Sequence, residues 1–143
     1  MRRTILVVVF ALLLAACGGS STPSAEEVCE EAPQEVLDYL ATGFVNDAIT
    51  LESGQAVKSA DYPDVWVVAG ILGGADDLIG DADAIGLWAI QAETWPTDYV
   101  GAVAVDNVGK ATTTWGESGN FVVNRATDGV VKAEACALAS LNG

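Results

Sequence analysis

The spacing of apolar residues predicts a helix near each end of the chain. The first helix is expected to begin near Ser24, where Glu27 stands at capping-box spacing, and to be kinked at Pro33. Beyond that proline, apolar residues recur every three or four positions up to a helix end near Gly43. They are Val36, Leu37, Leu40 and Phe44. The same period over residues 124–141 predicts a second helix.

Between these helices, the pattern is typical of β-strands joined by turns. The predicted strands are residues 55–60, 65–72, 87–92, 99–106 and 110–115. The second strand is apolar on both faces, which predicts a central strand that is covered on both sides. The fifth strand contains three threonines after a tight turn, and we expect it to be a solvated edge strand.

The order of these elements predicts an α+β fold. Short connections between successive strands favour an antiparallel five-stranded meander, flanked in sequence by an N-terminal and a C-terminal helix. We expect both helices to pack on one face of the sheet, which gives two layers. A chain of 143 residues suits one domain with its own core, and we assign residues 25–143 to it.

The N-terminus has the parts of an export signal. Two arginines precede an apolar run over residues 5–16, and small residues follow at a candidate cleavage site. The run has 12 residues, whereas a helix that crosses about 30 Å of hydrocarbon needs about 20. Residues 1–16 are therefore predicted to be a signal peptide and not a transmembrane span.

The residues that close this segment, Leu14, Ala15, Ala16 and Cys17, resemble the lipobox of bacterial lipoprotein precursors. The resemblance implies that Cys17 receives a diacylglyceryl group, carries acyl chains such as palmitate and becomes the mature N-terminus. Two acyl chains, at about 0.8 kcal/mol per buried methylene, hold a protein durably on the extracytoplasmic side of the cell membrane. Residues 17–24 then form a flexible tether. The alternative is a secreted protein whose cysteine falls here by chance.

Two stretches of the domain, QAVKSADYPDVWVVAGI at residues 55–71 and IGLWA at residues 85–89, resemble segments of small uncharacterised bacterial lipoproteins. This resemblance supports the architecture and implies no activity. With Cys17 lipidated, Cys29 and Cys136 remain in a compartment that permits disulfides. We predict that these two cysteines pair; the alternative is two buried, reduced thiols.

Charge and composition exclude several classes of function. The formal charge is -14, and this field repels nucleic acids and anionic headgroups and favours neutral or basic partners. The 51% of hydrophobic residues argues against disorder. The chain has no histidine, which removes Ser-His-Asp and Cys-His catalysis and the commonest metal ligand. No phosphate-binding glycine motif is present, so we do not expect an enzyme.

An acidic stretch between the second and third predicted strands is the candidate cation site. Its aspartates are Asp76, Asp77, Asp81 and Asp83. Asp81, Asp83 and Gly86 match the first, third and sixth positions of an EF-hand loop. Ile85 and Ala92, however, replace ligands at its fifth and twelfth positions. We therefore expect a solvated loop and no cofactor, with weak calcium binding as the alternative.

The four tryptophans divide into two kinds. Trp66 and Trp88 lie among apolar residues on predicted strands, so we expect both in the core. Trp95 lies in a predicted loop and Trp115 ends the edge strand. Both are candidates for a binding surface, because indole combines a large rigid area with a polar N–H, although plain packing is the alternative.

Together these patterns favour a membrane-anchored extracytoplasmic lipoprotein whose domain binds without catalysis. The partner is expected to be an envelope protein, cell-wall material or a small ligand. Two alternatives remain open at this point. One is a calcium-dependent or carboxylate-based cell-envelope enzyme, and the other is a structural or surface-exclusion lipoprotein.

Overall fold

The computed structural model describes residues 28–74, 84–116, 122–123, 125 and 129–143. Within these ranges the chain forms one sheet and three helices. The strands are β1 (Glu30–Glu31), β2 (Thr50–Lys58), β3 (Val65–Gly73), β4 (Ile85–Ala92) and β5 (Tyr99–Ala104). The helices are α1 (Gln34–Ala41), α2 (Asn107–Thr112) and α3 (Val130–Leu141).

The five strands follow one another across the sheet in the order β1-β2-β3-β4-β5, and every neighbouring pair is antiparallel. This confirms the predicted five-stranded antiparallel sheet and the α+β class. The central strand β3 is buried along nearly all of its length, because apolar residues occupy both of its faces. Val67, for example, pairs with Val57 on β2 and with Ala89 on β4.

The edge strands differ from the prediction. Residues 107–112 form α2 and not a turn followed by a strand, and only Thr113 keeps a single bridge, to Phe44. The physical reason is local hydrogen bonding: the Asp106 carboxylate accepts the Gly109 N–H at 2.7 Å, which starts a helix. The Thr112 hydroxyl then donates back to a carbonyl one turn earlier, at 2.8 Å.

The fifth strand is instead β1, in a region that was predicted to be helical. Glu30 pairs with Ala56 and Glu31 with Gln55. Pro33 holds the preceding residue in an extended conformation, so α1 begins only after it. The two glutamates therefore pair with the sheet edge and do not start the helix.

The helices cover opposite faces of the sheet, which corrects the predicted placement of both on one face in two layers. Helix α1 packs against one core, on the side of β3 that includes Val68. Helix α3 packs against the other core, on the side that includes Val67. Since the central strands are apolar on both faces, each face needs a cover, and the sheet lies between the two helices. No helix in the described ranges is long and apolar enough to span a membrane.

Cys29 and Cys136, the predicted pair, lie at disulfide-bonding distance, with their Cα atoms 6.1 Å apart. Cys29 immediately precedes β1, and Cys136 lies on the buried side of α3. The bond therefore connects the N-terminal edge of the sheet to the C-terminal helix, across 107 residues of sequence.

Candidate functional site

Two tryptophans stack at one end of the sheet, on the face that α1 covers. Trp66 lies on β3, and Trp95 lies in the connection between β4 and β5. Their ring centroids are 4.4 Å apart and the ring planes differ by 11°. Both side chains are half-buried. Trp95 thus keeps the partial exposure expected of a surface candidate, whereas Trp66 lies at the margin of the core and Trp88 is fully buried within it.

Lys58 approaches the same aromatic ring from the neighbouring strand. It stands opposite Trp66 in the β2–β3 register, and its Nζ lies 5.8 Å from the ring centroid. This distance is within the range of a cation–π contact. Lys58 comes from β2 and Trp95 from the connection that follows β4, so the two contacts reach the indole from different parts of the sheet. Both of these contacts restrain the Trp66 ring.

A cleft of about 390 Å³ opens beside this ring. Its apolar lining comes from Val28, Ala60, Pro63 and Trp66, its charged lining from Lys58 and Glu30, and Ser59 adds a hydroxyl. The volume falls within the roughly 300–1,000 Å³ typical of small-molecule sites, which combine apolar walls with a few polar groups. We refer to it as the Trp66 cleft.

Neither predicted surface candidate, Trp95 or Trp115, is among the described residues that line this cleft. Trp95 only stacks on the cleft residue Trp66, and Trp115 packs elsewhere. Its Nε1 donates a hydrogen bond to the Leu40 carbonyl at 3.0 Å, in the last turn of α1. Its ring centroid is 5.1 Å from that of Tyr39, which stacks in turn on Tyr99 at 4.3 Å. The polar atom of this indole is therefore engaged within the domain, where it satisfies a helix-end carbonyl.

The Tyr39–Tyr99 stack lies at the rim of this core, and both side chains are half-buried. Burial raises the pKa of both phenols, and the pKa of Tyr99 is raised further by the nearby negative charge of Glu35. Within the described residues, the Tyr99 hydroxyl is buried without a hydrogen-bond partner. Both phenols are therefore neutral well above physiological pH, and this pair adds no charge to the aromatic face.

A second cleft, of about 350 Å³, lies at the start of α2 and is lined by Asp106, Asn107, Arg125 and Glu134, among others. Arg125 and Glu134 form an ion pair across it. The Asp106 carboxylate accepts N–H bonds from Leu87 at 3.1 Å and from Gly109 at 2.7 Å. Burial raises the pKa of Asp106, although these hydrogen bonds and the Arg125 charge act in the opposite direction. This carboxylate is engaged in holding β4 to α2.

Several predicted site residues lie outside the described ranges. They are Cys17 and the acidic-loop residues Asp76, Asp77, Asp81 and Asp83. Within those ranges, no three side chains of the metal-binding types His, Cys, Asp and Glu come together. The described residues therefore provide no metal centre, and weak calcium binding by the acidic loop stays a prediction.

The sequence pattern did not predict two members of the Trp66 cleft, Lys58 and Glu30. These two side chains come together because β1 pairs with β2. A strand of two residues is too short for its apolar pattern to predict that pairing. A usable signal was the alternation along β2, which places Lys58 on the same face as Ala56.

No family model, curated protein or solved structure matches the chain, so no relative indicates a ligand for this cleft.

Proposed function

We propose that this chain is a bacterial lipoprotein, anchored through Cys17 to the extracytoplasmic side of the cell membrane, whose domain binds a small ligand without catalysis. The observation that carries the binding part is the Trp66 cleft, with its aromatic wall and two charged side chains. The observation that supports the anchor is the lipobox at residues 14–17, directly behind an apolar run.

The state of Trp66 supports a binding role because the ring is already held in place. Trp95 stacks on it and Lys58 lies over it, so little side-chain freedom is left to lose when a ligand packs there. Each rotamer-rich side chain that has to be ordered costs roughly 0.5–1.5 kcal/mol of binding free energy. A preorganised indole avoids that cost, and the part of the ring that lines the cleft gives a ligand a rigid apolar contact.

The anchor and the cleft lie close together along the chain. Val28, which lines the cleft, follows Cys17 by 11 residues. A chain of that length reaches at most about 40 Å when it is fully extended. Under this proposal the cleft therefore works near the membrane surface, where it meets solutes of the envelope.

Substitution of the lipobox cysteine tests the anchor. In bacteria that express the full chain with radiolabelled palmitate, we expect the wild-type protein to carry label and to sediment with membranes. Cys17→Ser should lose the label and leave the membrane fraction or accumulate as a precursor. Cys136→Ser is the matched control, because it removes a cysteine of the domain and should keep the label. An unlabelled wild type, or a labelled Cys17→Ser, refutes the anchor.

A solute screen tests the binding role separately. The full chain, purified in detergent, is heated with small anionic, cationic, zwitterionic and uncharged solutes, and its melting temperature is recorded. A ligand that binds only the folded state raises the melting temperature, and Trp66→Leu should remove that rise. Trp115→Phe, outside the cleft, should keep it. If no class of solute gives a rise that depends on Trp66, the binding function is wrong.

A further inference from the structure

We propose that the Trp66 cleft takes a small zwitterion with an apolar side chain, of the α-amino acid class. The ligand carboxylate pairs with the Lys58 ammonium, the ligand ammonium pairs with the Glu30 carboxylate, and the ligand side chain packs against Trp66. The inference rests on the binding function proposed above and names the ligand class of that site.

The charges of the cleft favour a ligand that is neutral overall but carries separated charges. Among the described lining residues, Lys58 is the one cation and Glu30 the one anion. The chain as a whole carries -14, so a purely anionic ligand approaches against the field of the protein. A purely cationic ligand is repelled by the Lys58 ammonium in the cleft. A zwitterion avoids both repulsions and pairs with both side chains.

The sheet register places the two charged side chains at a suitable separation. Glu30 pairs with Ala56, and Lys58 is two residues further along the same strand, so all three side chains project on the same face. Such diagonal cross-strand neighbours are about 7–8 Å apart at the backbone. Among the described residues Lys58 forms no ion pair with Glu30. Both side chains are exposed, so both charged groups are accessible to a ligand that lies between them.

The remaining walls match an apolar side chain. Trp66 supplies the part of its ring that lines the cleft, and Val28, Ala60 and Pro63 are its other apolar walls. Besides the indole N–H, the uncharged polar group of the described lining is the buried Ser59 hydroxyl, which already accepts the Tyr62 N–H at 3.3 Å. A polar ligand side chain would therefore recover little of its hydration there. The cation–π contact holds the Lys58 ammonium beside the indole, so the carboxylate of the ligand is drawn to the edge of the aromatic wall.

Titration calorimetry with matched ligands tests this assignment on the full chain, purified in detergent. The probes are L-leucine, N-acetyl-L-leucine, which lacks the ammonium, L-leucinamide, which lacks the carboxylate, and glucose as an uncharged solute. We expect L-leucine to bind and each derivative to bind about tenfold or more weakly, because each loses one charge-assisted hydrogen bond. Glucose should not bind measurably.

Charge-neutralising variants then connect each ligand group to its partner. Lys58→Met should bind L-leucine and L-leucinamide with equal affinity, because the partner of the ligand carboxylate is gone. Glu30→Gln should bind L-leucine and N-acetyl-L-leucine with equal affinity, because the partner of the ligand ammonium is gone. Lys132→Met, an exposed lysine on α3, and Glu31→Gln, beside Glu30 on β1, are controls that should keep the wild-type preferences.

The outcomes separate the ligand class from the binding function. If the derivatives bind the wild type as tightly as L-leucine, or if the preferences ignore Lys58 and Glu30, the zwitterion assignment is wrong. If zwitterions fail but another solute gives a Trp66-dependent rise in melting temperature, the assignment fails and the binding function stands. If no solute binds, both fail. The wild-type ligand series decides the matter even if a variant does not fold.

Discussion

At the scale of single residues, the Asp106 carboxylate connects β4 to the start of α2. It accepts N–H bonds from Leu87 and Gly109, while burial raises its pKa above the ordinary aspartate value of 3.8. A raised pKa in the folded state means that the folded protein holds this proton more tightly than the unfolded chain does. The stabilising contribution is therefore complete below 3.8 and is lost as pH rises through the folded-state pKa.

We predict opposite effects of two substitutions at this position. Asp106→Asn keeps an acceptor oxygen and removes the half-buried charge, so the free energy of unfolding at pH 7 should equal or exceed that of the wild type. Asp106→Ala leaves both N–H groups without this acceptor and should lower it by about 1–3 kcal/mol. Urea unfolding at pH 7 measures both.

A second series at acidic pH checks the role of the charge. Between the Asn variant and the wild type, the difference in unfolding free energy should shrink as pH falls towards 3.8. If Asp106→Asn destabilises the domain as much as Asp106→Ala at pH 7, this explanation is wrong. It holds that the Asp106 oxygen stabilises the fold as an acceptor, while its half-buried charge destabilises the fold.

At the scale of elements, the strands with the strongest apolar pattern were predicted best. Strand β3 was expected at residues 65–72 and occupies Val65–Gly73, and β4 was expected at residues 87–92 and occupies Ile85–Ala92. A strand that is buried on both faces needs apolar residues at every position. A continuous apolar run therefore predicts such a strand from the sequence alone.

The elements that were missed depend on contacts that periodicity does not encode. Four of the six residues of α2, Asn107, Val108, Gly109 and Thr112, are weak helix formers. The helix forms because the Asp106 side chain accepts an N–H of its first turn. Strand β1 forms because β2 offers an unpaired edge beside it. The Trp66 cleft has the same origin, since Glu30 reaches it only through the β1–β2 pairing.

Packing at the end of α1 leads to a second stability prediction. A Cβ atom added at Gly43 would lie 2.6 Å from Cε2 of Trp115, so Gly43→Ala must displace the indole and should lower the unfolding free energy by about 1–3 kcal/mol. Thermal or urea unfolding measures the loss. Gly101→Ala, on β5, is the matched control, because its Cβ meets nothing within 4 Å, and it should change stability by less than about 0.5 kcal/mol.

The same site permits a double-mutant test of this explanation. Trp115→Leu should lose the hydrogen bond to the Leu40 carbonyl and destabilise the domain, but it should also remove the obstacle to Gly43→Ala. The double variant should therefore be more stable than the sum of the two single effects implies. Additive losses would show that Gly43 is required for another reason.

At the scale of the whole molecule, the sheet separates two cores that are closed by helices from opposite ends of the chain. Helix α1 closes one core and α3 the other. Apolar periodicity identified each helix but could not assign its face, because that choice depends on the path of the connections. The Cys29–Cys136 bond joins the N-terminal edge of the sheet to α3, and it is the covalent link between the two ends of the domain.

This bond should contribute much of the stability of the domain. The two cysteines are separated by 107 residues, and closing a loop of that length constrains the unfolded chain by up to about 4–5 kcal/mol in the chain-entropy account. We expect the double variant Cys29→Ser, Cys136→Ser to have a free energy of unfolding in urea about 2–4 kcal/mol lower than that of the wild type.

A reductant should destabilise the wild type similarly and leave the double variant unchanged, which controls for effects of the reductant itself. Thiol titration of the urea-unfolded wild type should find neither cysteine reactive before reduction and both reactive afterwards. Two reactive thiols before reduction, or a double variant as stable as the wild type, would contradict the pairing or its energetic role.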